Sequence, residues 1–172
     1  MLRYLLPLVL LSACSATDKK QDTAATAAGP AVIPLFISQD GKAHRFDVEV
    51  ALTPEQQAKG LMFRKTLAAD AGMVFPMAPP RIASFWMKDT FIPLDMLFVR
   101  TDGTVAFVAA NVQPYSRIPV SAGIPVAGVV ELRGGRAAEL GIDEGARIRW
   151  GDCARPAAPD RPSAGSDFCP AN

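Results

Sequence analysis

The sequence predicts a mainly β fold with short helices (α+β), built as a small rolled mixed sheet or a partly closed β-barrel. Three observations carry that prediction. Six or seven short apolar or alternating segments recur along the chain, and Asp-Gly or Gly-rich turns separate many of them. Only two segments fit helices, and both are about two turns or shorter. Long alternating helix–strand units, which a doubly wound sheet needs, are not found.

The elements follow in order. Residues 33–38, IPLFIS, form a strand, and Gln39-Asp40-Gly41-Lys42 turns it back through a hairpin. Residues 43–51 alternate, with His44, Phe46, Val48 and Val50 on one face and Arg45, Asp47 and Glu49 on the other, as in a half-buried antiparallel strand. Thr53 then caps a helix, Pro54 suits its first position, Gln56 completes a capping box, and Gly60 stops it. So short a helix does not stand alone in water and must dock on the sheet. Residues 73–75 are a short strand and 77–80, MAPP, a loop. Residues 94–99, the turn Asp102-Gly103 and residues 104–111 make the clearest hairpin in the chain. In its first arm, Leu94, Met96 and Phe98 share one face, and Asp95, Leu97 and Val99 the other. A loop at 113–125 leads to a strand at 126–132, where Gly128 marks a bulge or a close approach. Residues 136–140 make a helical turn ended by Gly141, and 146–150 the last strand.

With 172 residues, 49% of them hydrophobic, the chain suits one domain with an adequate core. A net charge of +1 argues against nucleic acid as a partner and against electrostatic membrane binding. The N-terminus gives an address. Arg3 precedes an apolar run from Leu5 to Leu11, far shorter than the ~20 residues of a membrane span, so residues 1–13 are expected to be a signal peptide. Leu11-Ser12-Ala13-Cys14 resembles the bacterial lipobox, which implies cleavage before Cys14 and lipidation of that cysteine. Ser15 in place of an aspartate favours the inner leaflet of the outer membrane, with the domain in the periplasm. Residues 14–31 lack large apolar side chains and form a lipidated flexible tether, with a mean reach of ~20–24 Å as a coil. Residues 32–150 are the globular domain and 151–172 a Pro/Ala-rich tail. Cys153 and Cys169 either pair, closing a loop for about 3 kcal/mol, or remain free thiols.

Chemistry is sparse by comparison. His44 is the only histidine and falls on an apolar face, so neither a metal site nor another cofactor is expected. Met62, Met73, Met77, Met87 and Met96 fall within 35 residues; thioethers can hold Cu(I), but these positions suit core filling better. Neither a nucleophile elbow nor a phosphate-binding glycine loop occurs. Paired-carboxylate chemistry would need Asp89, Asp95 and Glu131 to converge in space. The segment 85–95, FWMKDTFIPLD, sets Lys88, Asp89 and Asp95 among bulky apolar residues, where charge is costly unless it is paired or has a purpose. Two readings follow. In one, Lys88 or Arg64 pairs with Asp95 or Asp89 and staples the loop to the sheet. In the other, Trp86 and Phe85 form an aromatic platform flanked by a cation and a carboxylate, a binding pocket.

The strings GLMFR (60–64), GMVF (72–75), FWMKDTFIPLDMLFV (85–99) and VVEL with its following glycines (129–145) resemble a bacterial and archaeal family, domain of unknown function 192. The resemblance spans about Val48 to Trp150. Its signature falls on Gly60, Leu61, Met62, Arg64, Trp86, Met87, Lys88, Thr90, Pro93, Leu94 and Asp95. Two departures occur: Val112-Gln113-Pro114 where many members have Cys-Pro, and Gly145-Ala146 where many have Gly-Asp. The resemblance implies a compact strand-rich fold and no assigned activity. The candidate binding residues are then Arg64, Trp86, Lys88, Thr90 and Asp95. The functional expectation is a lipid-anchored periplasmic module binding a small polar ligand, a glycan or an envelope protein. The alternatives are an enzyme acting on an envelope carbohydrate or peptide through Asp95 or Asp89, and a structural or assembly factor without a pocket.

Overall fold

The structure, a computed structural model, describes residues 30–151 and Phe168. The signal peptide, Cys14, nearly all of the tether, Cys153 and Cys169 lie outside the described residues. Among the described residues, seven strands and two helices follow one another: β1 (Val32–Gln39), β2 (Lys42–Val50), α1 (Pro54–Lys59), β3 (Ala71–Ile82), β4 (Leu94–Val99), β5 (Val105–Val112), β6 (Pro125–Arg133), α2 (Arg136–Leu140) and β7 (Arg147–Trp150). The strands form a single mixed sheet in the order β5-β4-β6-β3-β2-β1-β7. Every neighbouring pair is antiparallel except β2 with β3, whose parallel pairing uses α1 as the crossover. The sheet is rolled and not closed. Its two ends approach where Thr104 bridges Arg147 and Ile148 N–H donates to the Gly103 carbonyl at 2.7 Å.

Both faces of the central strands are covered, so the sheet separates two apolar cores. One holds Leu35, Phe46, Val48, Val74, Leu97, Val130, Leu132 and Trp150. The other holds Leu61, Met73, Phe75, Met87, Leu94, Met96, Phe98 and Val129. The alternation of β4 is as expected, with Leu94, Met96 and Phe98 in the second core and Leu97 and Val99 in the first. Each fully buried large apolar side chain contributes roughly 1.5–3 kcal/mol. The second core contains most of the methionine cluster: Met73, Met87 and Met96 are fully buried packing residues.

The β1–β2 hairpin and the α1 capping box form as the sequence predicts. The Thr53 hydroxyl accepts from Gln56 N–H at 3.2 Å, and Gln56 Oε1 accepts from Thr53 N–H at 3.0 Å. α1 docks through Gln57, whose amide nitrogen donates to the carbonyls of Ala51 and Pro76, both at 3.2 Å. One expectation is corrected. Residues 77–80 are not a loop between elements but an outward bulge within a twelve-residue β3. Pro76 opposes Gly128 and Arg81 opposes Val126, so residues 77–80 stand against Ala127 alone. Pro79 and Pro80 have no N–H for the ladder, and the strand resumes once they are passed. Gly128 itself marks a close approach: a Cβ there would lie 2.9 Å from the Trp150 ring and 3.1 Å from the Phe75 carbonyl oxygen.

Candidate functional site

Asp95 is fully buried, and its partners are backbone amides. Its Oδ1 accepts from Asn111 N–H at 2.7 Å and Gly135 N–H at 2.9 Å, and its Oδ2 from Ala137 N–H at 2.7 Å. One carboxylate thus ties the start of β4 to the end of β5 and caps α2 from outside that helix. The glycine pair after β6 makes this possible. A Cβ on Gly134 would meet Pro93 at 2.7 Å, and Gly135 adopts φ +83, a left-handed conformation that costs glycine little. Pro93, Asp95, Gly134 and Gly135 therefore act as one structural knot.

The expected charge network does not form. Arg64 pairs with Glu49 at 2.6 Å. Lys88 is exposed, with its ammonium 5.9 Å from the centre of the Trp86 ring. The separation follows from direction: Asp95 points from β4 into the first core, whereas Lys88 lies on the solvent side of the segment before Pro93. Alternation in that segment holds over Trp86, Met87 and Lys88 and ends at Asp89, whose φ is +51. Met87 is buried, Phe85 bridges Val120, and Trp86 is 51% exposed. Thr90 is buried and its hydroxyl donates to the Lys88 carbonyl at 3.1 Å. Around this turn the Asp89 carbonyl accepts from Phe63 N–H at 2.8 Å and the Thr90 carbonyl from Tyr115 N–H at 3.2 Å. The turn therefore stitches together the 60s loop and the loop after β5.

A cleft of about 290 Å³ opens on the second-core side. Its walls come from the end of α1 and the following turn (57–62), from Phe75, Met77, Arg81 and Ile82 of β3, from residues 83–86, and from Thr90. Glu131 of β6 also lines it. Of the five candidate residues, Trp86 and Thr90 line this cleft; Arg64, Lys88 and Asp95 do not.

Glu131 is the unusual group. It is 4% exposed and sits between Met73 of β3 and Met96 of β4 in the sheet register. Burial pushes its carboxyl up to about 8, so near neutral pH it mostly keeps its proton. Among the described residues its side chain has no hydrogen-bond or ion-pair partner, yet its oxygens are not sealed from the cleft. Arg81 also lines the cleft; its guanidinium donates to Gln57 Oε1 at 3.0 Å and has no carboxylate partner among the described residues. Asp95 does not converge with Glu131. Asp95 and Leu132 oppose each other and face the first core, while Met96 and Glu131 face the second, so the two carboxylates lie on opposite sides of the sheet. Asp89 does not line the cleft either. Among the described residues no group of three or more His, Cys, Asp or Glu side chains is placed to hold a metal.

Sequence reasoning grouped Glu131 with the other carboxylates and passed over Gln57 and Arg81. The available signal was one acid inside the otherwise apolar run 126–132, VAGVVEL. Arg81 carries no such signal, because the bulge that brings it to the cleft is set by pairing with β6.

Comparison with known proteins agrees with this architecture. A structure from Sinorhizobium meliloti 1021, described as a candidate transcription regulator, is 37% identical, with 70% of this chain and 95% of that one covered and a TM-score of 0.69. A protein of unknown function from Novosphingobium aromaticivorans DSM 12444 is 43% identical, with 73% and 96% covered and a TM-score of 0.67. No curated protein matches the chain. The family model for DUF192, described as Uncharacterized ACR, matches residues 35–150. By that match over residues 35–150, the chain belongs to the DUF192 family.

Proposed function

We propose that this DUF192 protein is a lipid-anchored periplasmic binding module whose cleft takes a small polar ligand. The observation that carries the reading is Glu131, a buried acid without a side-chain partner among the described residues, whose oxygens reach an open cleft. A titratable group with a strongly perturbed proton affinity in a cleft marks a candidate binding position, and a ligand there would complete the bonding of its oxygens. Trp86 adds an exposed aromatic wall of the kind that small-molecule sites use beside a few polar groups. The lipobox-like Leu11-Ser12-Ala13-Cys14 supports the anchor, and Ser15 supports the inner leaflet of the outer membrane.

A thermal-shift screen of envelope metabolites on the full chain in detergent tests the cleft. Ligands are expected to raise the melting temperature of the wild type, and Glu131→Gln and Trp86→Ala to lose that shift while remaining folded. A shift that survives both substitutions, or no shift from any compound, rejects the reading. The anchor has its own test: Cys14→Ser moves the protein from the detergent phase to the aqueous phase.

The raised proton affinity of Glu131 favours one second reading, a general acid in an enzyme acting on an envelope carbohydrate or peptide. It ranks lower because Glu131 is the one carboxylate among the described residues lining the cleft, where a glycosidase pairs two.

A further inference from the structure

The cleft is lined by one anion-forming residue, Glu131, and two cationic ones, Lys59 and Arg81, and neither cation pairs with Glu131. Glu131 lies at its floor, buried and unpartnered among the described residues. Arg81 lies at its rim, with its guanidinium steadied by Gln57 Oε1 at 3.0 Å. Gln57 is itself held by two backbone carbonyls, so the acceptor it offers Arg81 is fixed in place. A guanidinium has five N–H donors, and among the described residues the Arg81 side chain makes one hydrogen bond, that to Gln57. We propose that the ligand is a small zwitterion, with an ammonium group on Glu131 and a carboxylate or phosphate on Arg81. The inference rests on the cleft being a binding site.

Each simpler class of ligand leaves something unmet. A neutral sugar can accept a hydrogen bond from the protonated Glu131 but gives Arg81 no counter-ion. A simple anion meets Arg81 but offers no cation to Glu131 in its ionised form. A simple cation meets Glu131 but enters past Arg81 and Lys59, the other charged groups lining the cleft among the described residues. A zwitterion of the right length satisfies both ends at once. The walls suit its ammonium end: Phe75, Phe85 and Trp86 supply aromatic faces, and Phe75 and Phe85 meet edge to face at 4.9 Å. The Trp86 ring already has one ammonium beside it, that of Lys88 at 5.9 Å. At about 290 Å³ the cleft is at the small end of ligand sites, which favours a molecule the size of an amino acid or a phospholipid head group.

Seating an ammonium favours the ionised form of Glu131. Its proton passes to the solvent, so binding near pH 7 releases about one proton, which appears as a heat that depends on the buffer. Isothermal titration of the full chain in detergent uses five probes. γ-Aminobutyrate and O-phosphoethanolamine are the zwitterions, with carboxylate and phosphate ends; n-butylamine is the cation, butyrate the anion and glucose the neutral control. At least one zwitterion is expected to bind about 10–100-fold more tightly than n-butylamine or butyrate, the effect of one charge-assisted contact. Arg81→Ala removes that advantage, and Glu131→Gln abolishes both binding and proton release while the variant keeps its cooperative unfolding. The stronger of the two zwitterions separates an amino-acid-like ligand from a head-group-like one. The proposal falls if n-butylamine matches the zwitterions, if neither zwitterion binds, or if Glu131→Gln leaves their affinity intact. Glucose or another neutral compound binding with loss in Glu131→Gln refutes the zwitterion while the cleft stands. Failure of every compound class to bind there refutes both.

Discussion

Glu131 gives this protein a stability that falls as pH rises, and the size of the fall follows from its burial. Its carboxyl is pushed up to about 8 in the fold, whereas in the unfolded chain it titrates near the ordinary 4.5. Between those two values the native state keeps a proton that the unfolded chain gives up. The contribution of this group is therefore complete below about pH 4.5 and is lost as pH rises through 8, at about 1.4 kcal/mol per unit. From pH 5 to pH 7 that amounts to about 2–3 kcal/mol, a large share of the roughly 5–15 kcal/mol of a typical domain. Glu131→Gln keeps the shape and hydrogen-bonding groups without the titration. Subtracting wild type from variant cancels the other titrating groups, provided that they do not couple to this one. Urea unfolding at pH 5 to 9, followed through the two tryptophans, gives both stabilities. The advantage of Glu131→Gln is expected to grow by about 2–3 kcal/mol from pH 5 to pH 7 and to level off above pH 8. Parallel pH profiles would mean that the carboxyl is well hydrated in the fold, and the account of the cleft floor would be wrong.

Three further substitutions probe the frame around the cleft. Asp95→Ala strands three backbone N–H groups in the interior and is expected to cost about 3–5 kcal/mol in chemical denaturation, with Asp95→Asn costing less because one oxygen still accepts. A loss below ~1 kcal/mol for Asp95→Ala would show that the knot closes without it. Gly128→Ala pushes a methyl to within 2.9 Å of the Trp150 ring and should lower stability by about 1–3 kcal/mol, with altered Trp150 fluorescence. Thr53→Ala removes the hydroxyl that caps α1 and should cost about 1 kcal/mol in thermal or urea unfolding, and an unchanged midpoint would show the cap to be redundant.

Local signals were legible where a few neighbouring residues decide the outcome. The Asp40-Gly41 turn, the alternation of β2, the Thr53–Gln56 box and the β4–β5 hairpin depend on contacts a few residues apart, and each formed as expected. β3 was harder to delimit, because a proline-rich bulge looks like a loop until its partner strand is known. The candidate site was legible only in part: Trp86 and Thr90 line the cleft, but the cation and carboxylate that line it beside them are Arg81 and Glu131.

The sequence by itself determined a small rolled β domain with two short helices, and the acids and bases it had to accommodate. Only the tertiary structure decided which face each acid occupies. β4 and β6 are buried on both sides, so their sequences carry no polar alternation to mark an inside and an outside. Cross-strand register alone turns Asp95 toward three backbone amides and Glu131 toward an open cleft, and a one-residue slip in that register would exchange their faces.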